Sequence, residues 1–200
     1  MLKKSSLCLI LFVSILLTTG CALAPLSSSF EGRSIGKGKV GLDVGGASIA
    51  GFYPTFKLTY GFATKMDVGF QYEEFSMGLF GKYSFINRPH QGFSLAGIIS
   101  GGVTSNGNYF YIGPVLSYKS KTFEPYFVAR LNAVHYNETK ISSGITISEG
   151  KYSYLQLTGG SDLWLSPRIG LCLELSAFAG STGSTEVEGA IIHGGLKLRF

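Results

Sequence analysis

The sequence predicts an all-β protein: an antiparallel up-and-down β-barrel of about ten strands that crosses a membrane, with eight strands as the alternative count. Apolar and polar residues alternate with period two along most of the chain after Gly38. Most alternating stretches reach the roughly 9–11 residues that a tilted strand needs to cross a bilayer. Only 14% of the residues are charged, against about 25% in typical soluble domains.

The N-terminal residues predict export from the cytoplasm. Lys3 and Lys4 precede an apolar run from Leu7 to Leu17, which is too short for a transmembrane helix, so residues 1–20 are predicted to be a cleaved signal peptide. The following Cys21 stands after Thr-Thr-Gly. This stretch resembles the lipobox of bacterial lipoproteins, and the resemblance implies cleavage before Cys21 and lipidation of that cysteine. The alternative is ordinary cleavage after Ala22 or Ala24, without a lipid.

Residues 21–37 are predicted to be a flexible tether between the lipid and the barrel, because the stretch from Ala22 to Lys37 is rich in Ser, Gly and Pro. Residues 38–200 are predicted to form the barrel. Without Cys8 and Cys21, a single thiol remains at Cys172, which excludes an internal disulfide. The net charge of +5 is too small to indicate nucleic-acid binding.

Ten strands are predicted from the alternation and from the turn residues between them. They are Gly38–Gly46, Tyr53–Phe62, Lys65–Glu73, Phe75–Ile86, Gly92–Val103, Tyr109–Lys119, Thr122–Tyr136, Lys151–Trp164, Arg168–Gly180 and Glu188–Phe200.

The composition of the polar face distinguishes a membrane barrel from a soluble one. In the ninth predicted strand, Leu171, Leu173 and Leu175 alternate with Cys172 and Glu174. Glycine and isolated charges dominate such polar faces, which favours lipid outside and a polar lumen. Because isolated buried charges are costly, we expect these charges to form an ion-pair network that fills the lumen. The predicted network is Asp43, Lys57, Asp67, Lys82, Glu124, Arg130, Asp162, Glu174 and Lys197.

The chain ends on alternating residues, with Leu196, Leu198 and Phe200 on one side and Lys197 and Arg199 on the other. Together with the amphipathic strands and the export signal, this ending resembles the small bacterial outer-membrane β-barrels of the OmpA/OmpX-like group. The resemblance implies that Leu196, Leu198 and Phe200 form the signal that barrel-assembly machinery recognises. It also implies an outer-membrane location with both chain ends, including the lipidated one, on the periplasmic side.

We expect a non-enzymatic barrel lipoprotein with a structural, adhesive or envelope-interaction role. The longest predicted external connection, from Asn137 to Gly150, is the candidate contact surface. A narrow solute channel and a soluble periplasmic barrel that holds an apolar ligand remain open alternatives. A lipid-modifying enzyme is the least favoured one, because His135 is followed by Tyr136 and Asn137, where the lipid A deacylase pattern needs a serine.

The expected partners are outer-membrane lipid and, during assembly, the barrel-assembly machinery. The spacing of the histidines matches no metal motif, so neither a metal nor a cofactor is predicted. We expect a monomer.

Overall fold

A computed structural model describes residues 24–48, 52–137, 139–140, 146–147, 149–182 and 185–200. Cys21 and the signal peptide lie outside these residues. Ten long strands form the wall, and their bounds are β1 Val40–Ser48, β2 Phe52–Ala63, β3 Met66–Glu73, β4 Ser76–Ile86, β5 Gly92–Thr104, β6 Gly107–Lys119, β7 Phe123–Tyr136, β10 Gly150–Trp164, β11 Ile169–Thr182 and β12 Thr185–Arg199. The pairs Thr139–Lys140 (β8) and Thr146–Ile147 (β9) form a small separate hairpin. Within the described part of the chain, no helix has the length and apolarity needed to cross a membrane.

The ten long strands form one closed barrel in which each strand pairs antiparallel with its neighbours along the chain. The first and last strands close it, in a register that runs from Gly41 opposite Arg199 to Ser48 opposite Ile192. The amide of Phe200 also donates to the carbonyl oxygen of Val40 at 2.8 Å. The predicted all-β up-and-down barrel and its count of ten strands are therefore confirmed.

Side chains alternate between the outside and the lumen along every strand, as the pleat requires. On β11, Leu173 and Leu175 are 62% and 58% exposed, whereas Cys172 and Glu174 are 6% and 2% exposed. The outer surface is thus apolar, and the inner surface holds the buried charges together with an apolar cluster that includes Ile98, Val115 and Val128. A water-soluble barrel places its charges on the outside instead.

The two ends of the barrel differ in their connections. The end that carries the start of β1 and the end of β12, here called the terminal end, has connections at residues 64–65, 87–91, 120–122 and 165–168. The opposite end, here called the far end, has connections at residues 49–51, 74–75, 105–106, 137–149 and 183–184. The longest connection, between β7 and β10, therefore lies at the far end, as predicted.

The chain before β1 occupies a different place from the one that its composition suggests. Residues 24–35, here called the lumen segment, lie inside the barrel; Ala24, Phe30 and Ile35 are 1%, 3% and 7% exposed. A tether in water would expose these residues, so the structure differs here from the predicted flexible tether. The cause is that backbone groups of the segment find hydrogen-bond partners on the polar inner face of the wall.

Two glycines turn the chain from the lumen segment into the wall. Gly36 and Gly38 have φ angles of 97° and 76°, which residues with a Cβ rarely adopt. The amide of Lys39 donates to the carbonyl oxygen of Gly36 at 3.2 Å, and the amide of Gly38 donates to that of Gly61 at 2.7 Å. This turn fixes the segment at the terminal end.

Candidate functional site

The candidate site is the lumen, where the structure places all of the charged residues predicted for it. Three close pairs form between them: Lys57 Nζ lies 2.9 Å from an oxygen of Asp43, Lys82 Nζ 3.1 Å from one of Asp67, and Lys197 Nζ 2.7 Å from one of Asp162. The first two pairs join residues directly opposite on neighbouring strands. At most 8% of each residue is exposed, and the predicted set is Asp43, Lys57, Asp67, Lys82, Glu124, Arg130, Asp162, Glu174 and Lys197.

The other three predicted residues, Glu124, Arg130 and Glu174, bind groups that were not part of the predicted network. Arg33 Nε of the lumen segment lies 2.9 Å from both carboxylate oxygens of Glu124. The carboxylate of Glu174 accepts from the Ser28 amide at 2.8 Å and from the Tyr126 hydroxyl at 2.9 Å. Nη2 of Arg130 donates to the Gln156 side chain at 2.7 Å.

Toward the far end, the wall binds the backbone of the lumen segment. Arg130 Nη2 donates to the carbonyl oxygen of Pro25 at 2.7 Å. The carboxylate of Glu73 accepts from the amides of Leu26 at 2.5 Å and Ser27 at 2.7 Å. Glu73 is the last residue of β3, at the far end, and its side chain points inward and is 7% exposed. These contacts satisfy backbone groups that would otherwise be buried without partners.

Between the middle of the barrel and its terminal end, lysines of the wall hold further carbonyl groups of the segment. Lys82 Nζ donates to the carbonyl oxygens of Glu31 at 2.8 Å and Arg33 at 2.7 Å. Lys57 Nζ donates to the carbonyl oxygen of Ser29 and to its hydroxyl. Each lysine therefore joins its carboxylate partner on the wall to the segment.

Glu31 links the lumen segment to the last strand. Its Oε1 accepts from Lys197 Nζ at 3.1 Å and from Arg199 Nη2 at 2.7 Å. Arg199 Nη1 also donates to Asp43 at 3.0 Å, which connects this group to the first pair of the wall. One connected charge network thus includes β1, β2, β10, β12 and the segment.

Apolar contacts and small residues let the segment fit. The rings of Phe30 and Phe80 meet edge to face, with centroids 5.0 Å apart. Gly32 lies so close to the wall that a Cβ there would stand 2.7 Å from the carbonyl oxygen of Ser94. Its amide donates to the Ser117 hydroxyl at 3.0 Å.

The space left inside is small. Among the described residues, a small cavity in the lumen has a volume of about 10 Å³, the room of roughly one water molecule. Its lining includes Ser29, Asp43, Lys57, Cys172 and His193. A cavity of this size holds nothing larger than a water molecule.

Two of the three histidines, His135 and His193, take part in separate pairs. His193 lies in the lumen, with Nε2 2.9 Å from the Thr55 hydroxyl and Nδ1 3.5 Å from Glu174. His135, near the far end of β7, has Nε2 3.1 Å from Glu149. Among the residues that the structure describes, no group of three or more His, Cys, Asp or Glu side chains is placed to hold a metal.

The last strand presents its apolar side chains outward. Leu196 is 39% and Phe200 67% exposed, and Leu198 is half-buried. Lys197 is fully buried, and the Arg199 guanidinium also reaches into the lumen. These positions fit the alternation predicted for the chain end; recognition of the three apolar residues by assembly machinery stays a prediction.

Sequence reasoning missed Glu31, Arg33 and Glu73 as members of the lumen network. Two of them lie in the stretch that was interpreted as a tether. A signal was present there, because Phe30 and Ile35 are large apolar residues that a solvated linker does not need.

No protein-family model matches the chain, and no curated protein sequence does either. Solved structures match its fold. The NanC porin is 10% identical, with 78% of this chain and 98% of that chain covered and a TM-score of 0.51. The N-terminal β-barrel domain of Pseudomonas aeruginosa OprF is 11% identical, with 82% and 99% covered and a TM-score of 0.46. Neisserial surface protein A is 15% identical, with 81% and 95% covered and a TM-score of 0.42. These neighbours are outer-membrane β-barrels, and the likeness to NanC shows that the chain shares their type of fold.

Proposed function

We propose that this chain is a bacterial outer-membrane β-barrel that is closed by its own N-terminal segment and has a structural or surface-interaction role without catalysis. The observation that carries the proposal is the filled lumen. Residues 24–35 occupy it, and wall residues on β2, β3, β4, β6, β7, β10, β11 and β12 bind them. A barrel closed in this way offers its outer surface and its connections, rather than a passage, for function.

The outer surface supports the membrane location. Its middle carries exposed aliphatic side chains such as Leu79, Ile112, Leu131 and Leu173. Exposed aromatic side chains collect toward the terminal end, as in the interfacial belts of membrane proteins. They are Tyr60, Phe62, Tyr83, Phe85, Phe93, Tyr118, Phe123 and Phe200. Water would not solvate such a surface, whereas lipid would.

The polar lumen also argues against the soluble alternative. A soluble barrel for an apolar ligand needs an apolar cavity, but buried charges and the lumen segment fill this interior.

The lumen likewise suggests no catalytic site, because each of the predicted charged residues binds another group of the wall or the segment. The structure adds no support for a lipid-modifying enzyme, because the partner of His135 is Glu149 and not a serine.

A narrow channel is the second candidate function, and one observation favours it. The hydrogen-bonded wall of the barrel closes without the lumen segment, because β1 pairs directly with β12. Removal of the segment would therefore leave a closed wall around an open lumen. Under this alternative, the segment would be a movable plug.

Conductance in planar lipid bilayers tests the proposal. The unaltered chain should give no steady unitary conductance. A variant in which residues 24–35 are replaced by a Gly-Ser stretch of equal length should give it, because the replacement lacks the side chains that hold the segment. Steady conductance of the unaltered chain would contradict the closed barrel and favour the channel.

The comparison requires that both proteins are folded. Each should migrate faster before boiling than after it in dodecyl sulfate gels, as folded membrane barrels do. A chain without its signal peptide and Cys21 that stays soluble and folded without detergent would contradict the membrane location itself.

A further inference from the structure

We propose that the lumen segment threads the barrel from the terminal end toward the far end, so that the mature N-terminus, with any lipid on Cys21, emerges at the external mouth. The inference rests on the proposed outer-membrane location, in which the start of β1 and the end of β12 face the periplasm. The resemblance to other barrels suggested a periplasmic anchor. The path of residues 24–35 points to the opposite side.

The segment enters at the terminal end. The Ser34 hydroxyl donates to Asp67 at 2.6 Å, and Asp67 is the second residue of β3. Arg33 binds Glu124, the second residue of β7. Both strands begin at the terminal end, so residues 33 and 34 lie near the periplasmic mouth.

The segment then passes the middle of the wall. Ser28 lies beside Thr158, with 3.1 Å between their hydroxyl oxygens, and its amide binds Glu174. Thr158 is near the centre of β10, which runs from Gly150 to Trp164. Six residues of the segment thus take the chain from the periplasmic mouth to mid-barrel.

The residues before Ser28 continue in the same direction. The amides of Leu26 and Ser27 donate to Glu73, the last residue of β3 and therefore at the far end. The backbone of Ala24 interacts with the hydroxyl group of Tyr154, the fifth residue of β10 counted from the far end. The segment does not fold back, and Ala24 lies in the outer half of the lumen.

The distance from Ala24 to each mouth decides where Cys21 can be. Cys21 precedes Ala24 by three positions, and three extended residues span about 10 Å. From the level of Tyr154 to the end of β10 at Trp164 is ten residues, which at the usual rise and tilt is about 25 Å along the barrel axis. Cys21 therefore cannot reach the periplasmic mouth while Ala24 keeps its place.

The far mouth is within reach. Tyr154 is four residues from the start of β10, about 10 Å along the axis by the same rise and tilt. Acyl chains cannot stay among the buried charges of the lumen, so a lipid on Cys21 would enter the outer leaflet at the external rim. The barrel would then present its N-terminus at the cell surface.

An epitope tag inserted between Ala22 and Leu23 tests this inference in cells that express the full chain. Antibody against the tag should stain intact cells, and permeabilisation of the outer membrane should add little signal. Staining that needs permeabilisation would overturn the inference, because the N-terminus would then be periplasmic.

Two cysteine variants in a Cys172→Ser background establish the orientation of the barrel independently. Ser105→Cys lies in the exposed β5–β6 turn at the far end, and Lys121→Cys in the exposed β6–β7 turn at the terminal end. A membrane-impermeant maleimide should label the first on intact cells and the second only after permeabilisation. If the maleimide labels the two cysteines in this way but the tag is hidden on intact cells, the outer-membrane location of the barrel is supported. Only the proposed path of the lumen segment is then wrong.

A second measurement applies where the tag blocks assembly. Ser28→Cys and Thr158→Cys are combined in the Cys172→Ser background, because the native hydroxyls of these residues are 3.1 Å apart. Mild oxidation of the folded barrel should join them and shift the migration of the boiled protein under non-reducing conditions. Absence of the bond in folded protein would place the segment outside the lumen and overturn the inference.

Discussion

Glu31 binds Lys197 with 3.1 Å between Oε1 and Nζ, although 166 residues separate them in the chain. The carboxylate belongs to the lumen segment and the ammonium group to the closing strand. Lys197 also binds Asp162, and Glu31 also binds Arg199. The contact therefore connects the segment, β10 and β12 at a position that water does not reach.

Neutralising Glu31 should destabilise the folded barrel. In Glu31→Gln, Lys197 and Arg199 lose their shared carboxylate but keep Asp162 and Asp43. Loss of one member of a buried charge network costs about 3 kcal/mol of unfolding free energy. Urea unfolding in detergent micelles, followed by gel migration without boiling, measures the change.

Glu149→Gln is the matched control for that substitution. Glu149 pairs with His135 at 3.1 Å, but its side chain is 64% exposed. Exposed ion pairs contribute less than about 1 kcal/mol. Equal effects of the two substitutions would show that Glu31 is not bound inside the lumen.

A methyl group at Gly61 should disturb the turn that leads into the wall. A Cβ at this position would collide with the carbonyl oxygen of Gly36, and Gly61 also accepts the hydrogen bond of the Gly38 amide. Because the colliding group is backbone, Gly61→Ala should lower the unfolding free energy by about 1–3 kcal/mol. The same urea titration measures it.

Gly159→Ala serves as the control, because a Cβ there would have no atom within 4 Å. This substitution on the outer face of β10 should change stability by no more than about 0.5 kcal/mol. A harmless Gly61→Ala would mean that the chain before β1 does not pass close to β2.

The thiol of Cys172 should resist modification in the folded protein. Cys172 is 6% exposed, points into the lumen and borders the small remaining cavity. A maleimide reagent should therefore leave it unmodified until the barrel is boiled. Mass spectrometry measures the extent of labelling.

Ser105→Cys in the Cys172→Ser background provides the reactive control, since Ser105 is exposed. It should react fully in the folded protein. Rapid reaction of native Cys172 would show that the lumen is open to small molecules at this level.

The alternation along the strands was enough to predict the barrel. A strand places successive side chains on opposite faces, so Leu171, Leu173 and Leu175 share the outside and Cys172 and Glu174 the inside. The pairs Asp43 with Lys57 and Asp67 with Lys82 also follow from neighbouring strands of the predicted hairpins. Local sequence patterns are sufficient for these features, because strands that are adjacent in an up-and-down barrel are also adjacent in the chain.

The sequence by itself thus determined the wall of this protein, including its ten strands and the identity of its two faces. Only the tertiary structure decided where residues 24–35 lie. Their sequence has no period, and apart from Phe30 and Ile35 its composition is that of a linker. Their partners Glu73, Glu124 and Lys197 come from strands far away in the chain. No local pattern encodes such contacts, since they arise only when the closed wall brings its polar groups around one buried backbone.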